Sequence, residues 1–79
     1  MIKRIRFPAE WRDDKGRQHQ RIADFKLGLG SCGKIVTNLD AEINEMGTVF
    51  EITQETNDFE IMTFVYPIHT ILGRIEITQ

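Results

Sequence analysis

The chain has 79 residues, one cysteine, 41% apolar and 28% charged residues and a formal charge of −2. This excludes disorder, an intrachain disulfide and a zinc site of the CxxC type. No apolar run approaches the roughly 20 residues of a membrane helix, and a cleft of several hundred cubic ångströms would consume much of so small a core.

Length and composition predict one domain over 1–79. The N-terminus, Met-Ile-Lys-Arg-Ile-Arg-Phe, is charged and lacks the apolar stretch of a signal peptide. Small secreted domains are usually stapled by disulfides, so a reducing, cytoplasmic setting is expected. The charge is unevenly spread. Residues 1–26 carry eight cations against four acids, a net of +4. Residues 27–79 carry two cations against eight acids, a net of −6. Such asymmetry points to an anion-binding arm, or to parts that attract each other within one chain or between copies.

Residues 2–7 alternate, with Ile5 and Phe7 on one face, and Pro8 places this strand at a sheet edge or ends it. Asp13-Asp14-Lys15-Gly16 signals a turn. Residues 17–27 alternate again, with Ala23, Phe25 and Leu27 on one face. Residues 1–27 therefore read as a basic β-hairpin with Trp11 near its tip. Residues 28–47 read as a glycine-rich turn and a helix. Ile35, Val36, Leu39, Ile43 and Met46 recur at intervals of three and four, Ser31 suits an N-cap, and Gly47 suits the C-terminus. The expected helix spans about 32–46. Its rival is a strand at 34–38 followed by a short helix, because Ile-Val-Thr is β-branched.

Residues 48–79 read as an acidic three-strand meander, with strands at 48–54, 59–66 and 70–78. The middle one carries Phe64 and Tyr66 on one face and Phe59, Ile61 and Val65 on the other. The order β-β-α-β-β-β predicts an α+β fold: a five-stranded, mostly antiparallel sheet with one helix on one face. The face with Phe64 and Tyr66 then has no helix to cover it. Either the sheet curls into a partial barrel, or that face meets a partner.

Gly28-Leu29-Gly30-Ser31-Cys32-Gly33-Lys34 fits both GxGxxG and GxxxxGK. Glycines let backbone N–H groups approach a phosphate at a helix N-terminus. Gly28, Gly30, Ser31, Gly33 and Lys34 are the candidate anion site. Ile35 stands where a P-loop carries Ser or Thr, and the chain is too short for a nucleotide-binding sheet, so a structural turn is the stronger reading. Cys32 in the first helical turn is the candidate nucleophile of an enzymatic reading, with His69 or His19 as base. No catalytic kit, metal set or cofactor motif emerges from the spacing.

The basic hairpin is the candidate partner surface. Lys3, Arg4 and Arg6 on the first strand are expected near Arg17, His19 and Arg21 on the second, with Trp11 and Arg12 toward the tip, and Phe64 and Tyr66 form a second, apolar surface. Edge-strand protection also accounts for the cations. The leading expectation is a small non-enzymatic module that binds or blocks a protein, as an inhibitor or adaptor from a mobile element would. The alternatives are an anion- or nucleotide-binding protein using residues 28–34, and nucleic-acid binding through the hairpin. A homo-oligomer driven by the charge asymmetry would be salt-sensitive. No membrane partner is expected.

Overall fold

The computed structural model describes residues 1–29 and 33–79. Among these, seven strands form: β1 (Arg4–Arg12), β2 (Gln18–Lys26), β3 (Gly28–Leu29), β4 (Ile35–Ile43), β5 (Val49–Thr56), β6 (Ile61–Pro67) and β7 (Glu76–Thr78). The helical residues are a short 3-10 turn, Ile68–Thr70. All strand pairs are antiparallel, in two sheets ordered β2-β1-β7 and β3-β4-β5-β6.

β1 and β2 pair from Arg4↔Lys26 to Arg12↔Gln18. The turn between them closes with the Gly16 amide on the Asp13 carbonyl (3.0 Å), and Gly16 takes a positive φ of 78°. The Asp13 carboxylate also accepts the backbone N–H groups of Lys15 and Arg17. Pro8 lies inside β1 rather than at its end, and β1 is the central strand of its sheet. The hydrogen-bond phase explains this. Odd-numbered residues of β1 bond to β2, as the Asp13 amide does to the Arg17 carbonyl. Pro8 therefore turns its missing donor the other way, where β7 pairs with Arg4, Ile5 and Arg6 and stops short of it. Its carbonyl accepts the Leu72 amide (3.0 Å).

The expected helix at 32–46 is overturned. Residues 35–43 are β4, paired along β5, and the fold is nearly all β instead of α+β. The pattern misleads for a specific reason. The register passes from Val36↔Thr56 to Asn38↔Glu55, so one extra residue bulges out of β4. That bulge brings Val36 and Leu39, three apart, onto the same buried face. A bulged strand thus mimics helical spacing. Met46 and Gly47 then belong to a second turn, where Gly47 has φ 70° and its amide bonds the Asn44 carbonyl.

The single five-stranded sheet is also overturned. Pro67 ends β6, and the chain leaves through the 3-10 turn instead of returning as a third meander strand. Ile71 makes one bridge to Ala9, and β7 joins the other sheet beside β1. Ile5, Phe7, Ala9 and Ala23 from one sheet face Val36, Leu39, Phe50 and Ile52 from the other, and these eight are the core. Phe7 meets Phe50 and Tyr66 edge-on, at centroid distances of 5.6 and 4.9 Å. The apolar face carrying Phe64 and Tyr66 is therefore covered by a second sheet, as in a small β-sandwich.

Candidate interaction surface

The first hairpin outruns the core. Its inward row on β1 reads Ile5, Phe7, Ala9 and then Trp11; on β2 it reads Phe25, Ala23, Arg21 and then His19. Burial ends at Ala9 and Ala23, and Trp11 is 44% exposed. The same alternation that builds the core thus delivers an aromatic residue to a place no core residue covers. Trp11 stacks on His19, its cross-strand partner, with ring centroids 4.5 Å apart and planes 19° from parallel. The Arg21 guanidinium carbon lies 5.8 Å from the Trp11 ring centroid, within cation–π range.

Asp13 holds this tip together. Its carboxylate bonds His19 Nε2 (2.9 Å) and accepts from Arg17 Nε (3.1 Å). The His19 bond, followed by the backbone amide of Arg17, holds the Asp13 carboxyl below its ordinary range. Arg12 lies on the opposite face of the hairpin, beside Gln18, whose amide bonds the Glu10 carboxylate. Farther down, Arg4 grips Asp24 through two nitrogens, with Nε to Oδ1 at 2.9 Å. That contact lowers the Asp24 pKa, while Lys3 and Arg6 make no ion pair among the described residues. The structure thus brings Trp11, Arg17 and Arg21 together at the tip and leaves Lys3, Arg4 and Arg6 at the hairpin's other end.

Phe64 and Tyr66 lie elsewhere. They face the interior and line a groove of about 570 Å³ where β2 passes β6, together with Phe25, Met62, Arg21 and Asp24. Phe25 contacts both rings, at 5.1 and 6.3 Å between centroids. Burial raises the Tyr66 pKa.

The glycine-rich stretch loses the helix on which its phosphate-loop reading rested. Gly28 is in β3, paired with Val36, and Gly33 has φ 80°. Gly30, Ser31 and Cys32 lie outside the described residues, so the anion site and the Cys32 nucleophile do too. Lys34 is engaged: its Nζ sits 3.0 Å from an Asp58 carboxylate oxygen and also bonds Glu60. These two carboxylates push the Lys34 pKa up. Asp58 is held down to about 2, first by the Thr56 hydroxyl and then by Lys34. Of the two histidines, His19 is at the hairpin tip and His69 in the 3-10 turn. No group of three or more His, Cys, Asp or Glu that could hold a metal occurs among the described residues.

Phe59 escaped the sequence reading. Three hairpins close alike: the amide of Gly16, Gly47 and Phe59 bonds the carbonyl three residues back, and each residue has a positive φ. Two of them are glycine. The third is Phe59 at φ 64°, and it is 85% exposed. The strand expected at 59–66 takes Phe59 as its first residue, whereas the turn includes it. The signal that would have placed it is the parallel with Asp13-Asp14-Lys15-Gly16.

The fold and surface define a small antiparallel two-sheet protein with an aromatic–cationic hairpin tip. The family model of the Enterobacteria phage T3 gene 1.05 protein matches residues 1–79, and the chain belongs to that family. It is 46% identical over 63 residues to the "Uncharacterized gene 1.05 protein" of Enterobacteria phage T3, covering 80% of this chain and 68% of that one. No solved structure matches. No helix among the described residues is long and apolar enough to cross a membrane.

Proposed function

We propose that this member of a phage family works without catalysis, by seating the tip of its first hairpin on a protein partner and occupying that surface. One observation carries the reading: the core-facing row continues past the core to Trp11, stacked on His19 and flanked by Arg21, with Trp11 still 44% exposed. Trp and Arg are the side chains most enriched where binding energy concentrates, and here both are prearranged. Stacking fixes the indole before contact, which reduces the ordering cost of association. The matching surface on the partner has an apolar recess for the indole and a carboxylate within reach of Arg21. A phosphate backbone suits the hairpin less, because Arg4 and Arg17 are already engaged by Asp24 and Asp13 and Glu10 adds negative charge.

Quantitative enrichment from phage-infected host extract tests this. The intact chain and a Trp11→Ala/Arg21→Ala chain are immobilised side by side. A specific protein retained by the first and released by the second supports the proposal. Equal retention of every captured protein by both chains overturns it.

A further inference from the structure

Four strands end the two sheets: β2 and β7 in one, β3 and β6 in the other. Exposed edges invite pairing with another chain, and proteins blunt them with shortness or charge. β7 has three residues and β3 has two. β2 carries Arg21, Asp24 and Lys26. β6 has neither protection. It is seven residues long, reads Ile-Met-Thr-Phe-Val-Tyr-Pro, and no Asp, Glu, Lys or Arg occurs from residue 61 to 73.

The backbone phase says what this edge offers. The Thr56 amide bonds the Glu60 carbonyl (3.0 Å), and the Ile68 amide bonds the Thr48 carbonyl (2.9 Å). Even-numbered residues of β6 therefore bond to β5. Ile61, Thr63 and Val65 turn their N–H and C=O groups outward. Their side chains share the outer face of the sheet, where Ile61 is 64% and Val65 53% exposed. Pro67, which has no N–H, closes the run.

We infer that β6 pairs antiparallel with β6 of a second copy, around a two-fold axis at Thr63. That register sets Thr63 opposite Thr63 and Ile61 opposite Val65 in both directions. It uses all three outward residues of each strand, giving about six backbone hydrogen bonds. The outer face gains two Ile–Val cross-strand pairs, and the inner face sets Met62 opposite Phe64. The contact is isologous and closed, so it yields a dimer rather than a filament. A second copy is the fitting occupant because an uncharged edge does not repel itself. The nearest carboxylates, Asp58 and Glu60 just ahead of β6, are paired with Lys34, and the next acidic row, Glu51 and Glu55 on β5, lies on the outer face. Across the axis it meets its counterpart three strand spacings away, about 14 Å. That exceeds the Debye length of about 8 Å at physiological salt. This edge is separate from the hairpin tip, and the pairing stands or falls independently of the proposed function.

Light scattering on the full chain at tens of micromolar tests the pairing, at low and high salt. The expected result is a dimer at both, since no ion pair forms it. Thr63→Lys and Thr63→Glu place like charges opposite each other at the axis. Each alone should be a folded monomer by circular dichroism, and an equimolar mixture should recover the dimer. Hydrogen exchange reads the same contact without substitution. Ile61, Thr63 and Val65 amides should slow as concentration rises, while those of Met62, Phe64 and Tyr66 should not change. A wild-type monomer at all concentrations, a dimer that dissolves in salt, a dimer that survives Thr63→Lys, or exchange that slows at the even positions instead would each overturn the inference.

Discussion

At residue 59 the usual ranking of glycine and alanine should invert. In an ordinary strand glycine is the poorer residue by roughly 0.5–1 kcal/mol, because it loses more freedom on folding. Phe59 sits at φ 64°, where a Cβ crowds the following carbonyl at a cost of about 1–2 kcal/mol. Phe59→Gly removes that cost, and Phe59→Ala keeps it. Both variants lose the ring alike, and with 85% of the residue exposed the lost burial is well under ~1 kcal/mol. Phe59→Gly should therefore be more stable than Phe59→Ala by about 0.5–1 kcal/mol, and equal to or above the wild type. In a chain of this size that is a shift of a few degrees in melting temperature. Urea unfolding of the three proteins measures it. Alanine equal to or better than glycine would refute the claim that this turn holds residue 59 in the left-handed region.

Two further outcomes follow from the core and the carboxylates. Phe7 is 1% exposed and touches Phe50 and Tyr66, so Phe7→Ala should cost about 3–5 kcal/mol and unfold much of the protein at room temperature; Phe7→Leu should cost clearly less. Thermal unfolding by circular dichroism separates them. Asp58 has its pKa lowered from 3.8 to about 2, so its ionised form adds stability fully above pH 3.8 and loses it as pH falls toward 2. The stability difference between wild type and Asp58→Asn should be flat near neutrality and shrink across that acid window. A difference that grows on acidification would reverse the assignment.

Several strands were legible but the all-β class was not, and the failures have physical causes. Residues 2–7 and 17–27 alternate because one face of the hairpin is buried, so the hairpin and its turn at Gly16 could be read, whereas the run of β1 through Pro8 to Arg12 could not. Strands at 48–54 and 59–66 were readable for the same reason and correspond to β5 and β6. The helix was misread because a bulge between Val36 and Asn38 converts a period of two into a spacing of three. A glycine-rich approach with Ser31 as a cap strengthened the mistake. The second sheet was missed because Phe64 and Tyr66 read equally well as a face awaiting a partner. What covers them comes from β1 and β2, with Phe7 far from Tyr66 and Phe25 far from Phe64 in sequence, and periodicity carries no information about such contacts. Trp11 was legible near the tip; that Arg21 rather than Arg12 shares its face was not, because Arg17 and Arg21 were expected beside Lys3, Arg4 and Arg6. The engagement of Arg4 by Asp24 and of Lys34 by Asp58 and Glu60 was not legible either, because it depends on register and tertiary placement.

The most direct test places a photoactivatable phenylalanine analogue at position 11, with position 42 on β4 as the control, in phage-infected host cells. If the hairpin tip is the binding surface, irradiation yields one discrete cross-linked protein from position 11 and none from position 42. The adduct should fade when Arg21→Ala is added. The same adducts from both positions, or none from position 11 while the chain remains folded, would contradict an account in which this protein acts through Trp11 and its neighbours.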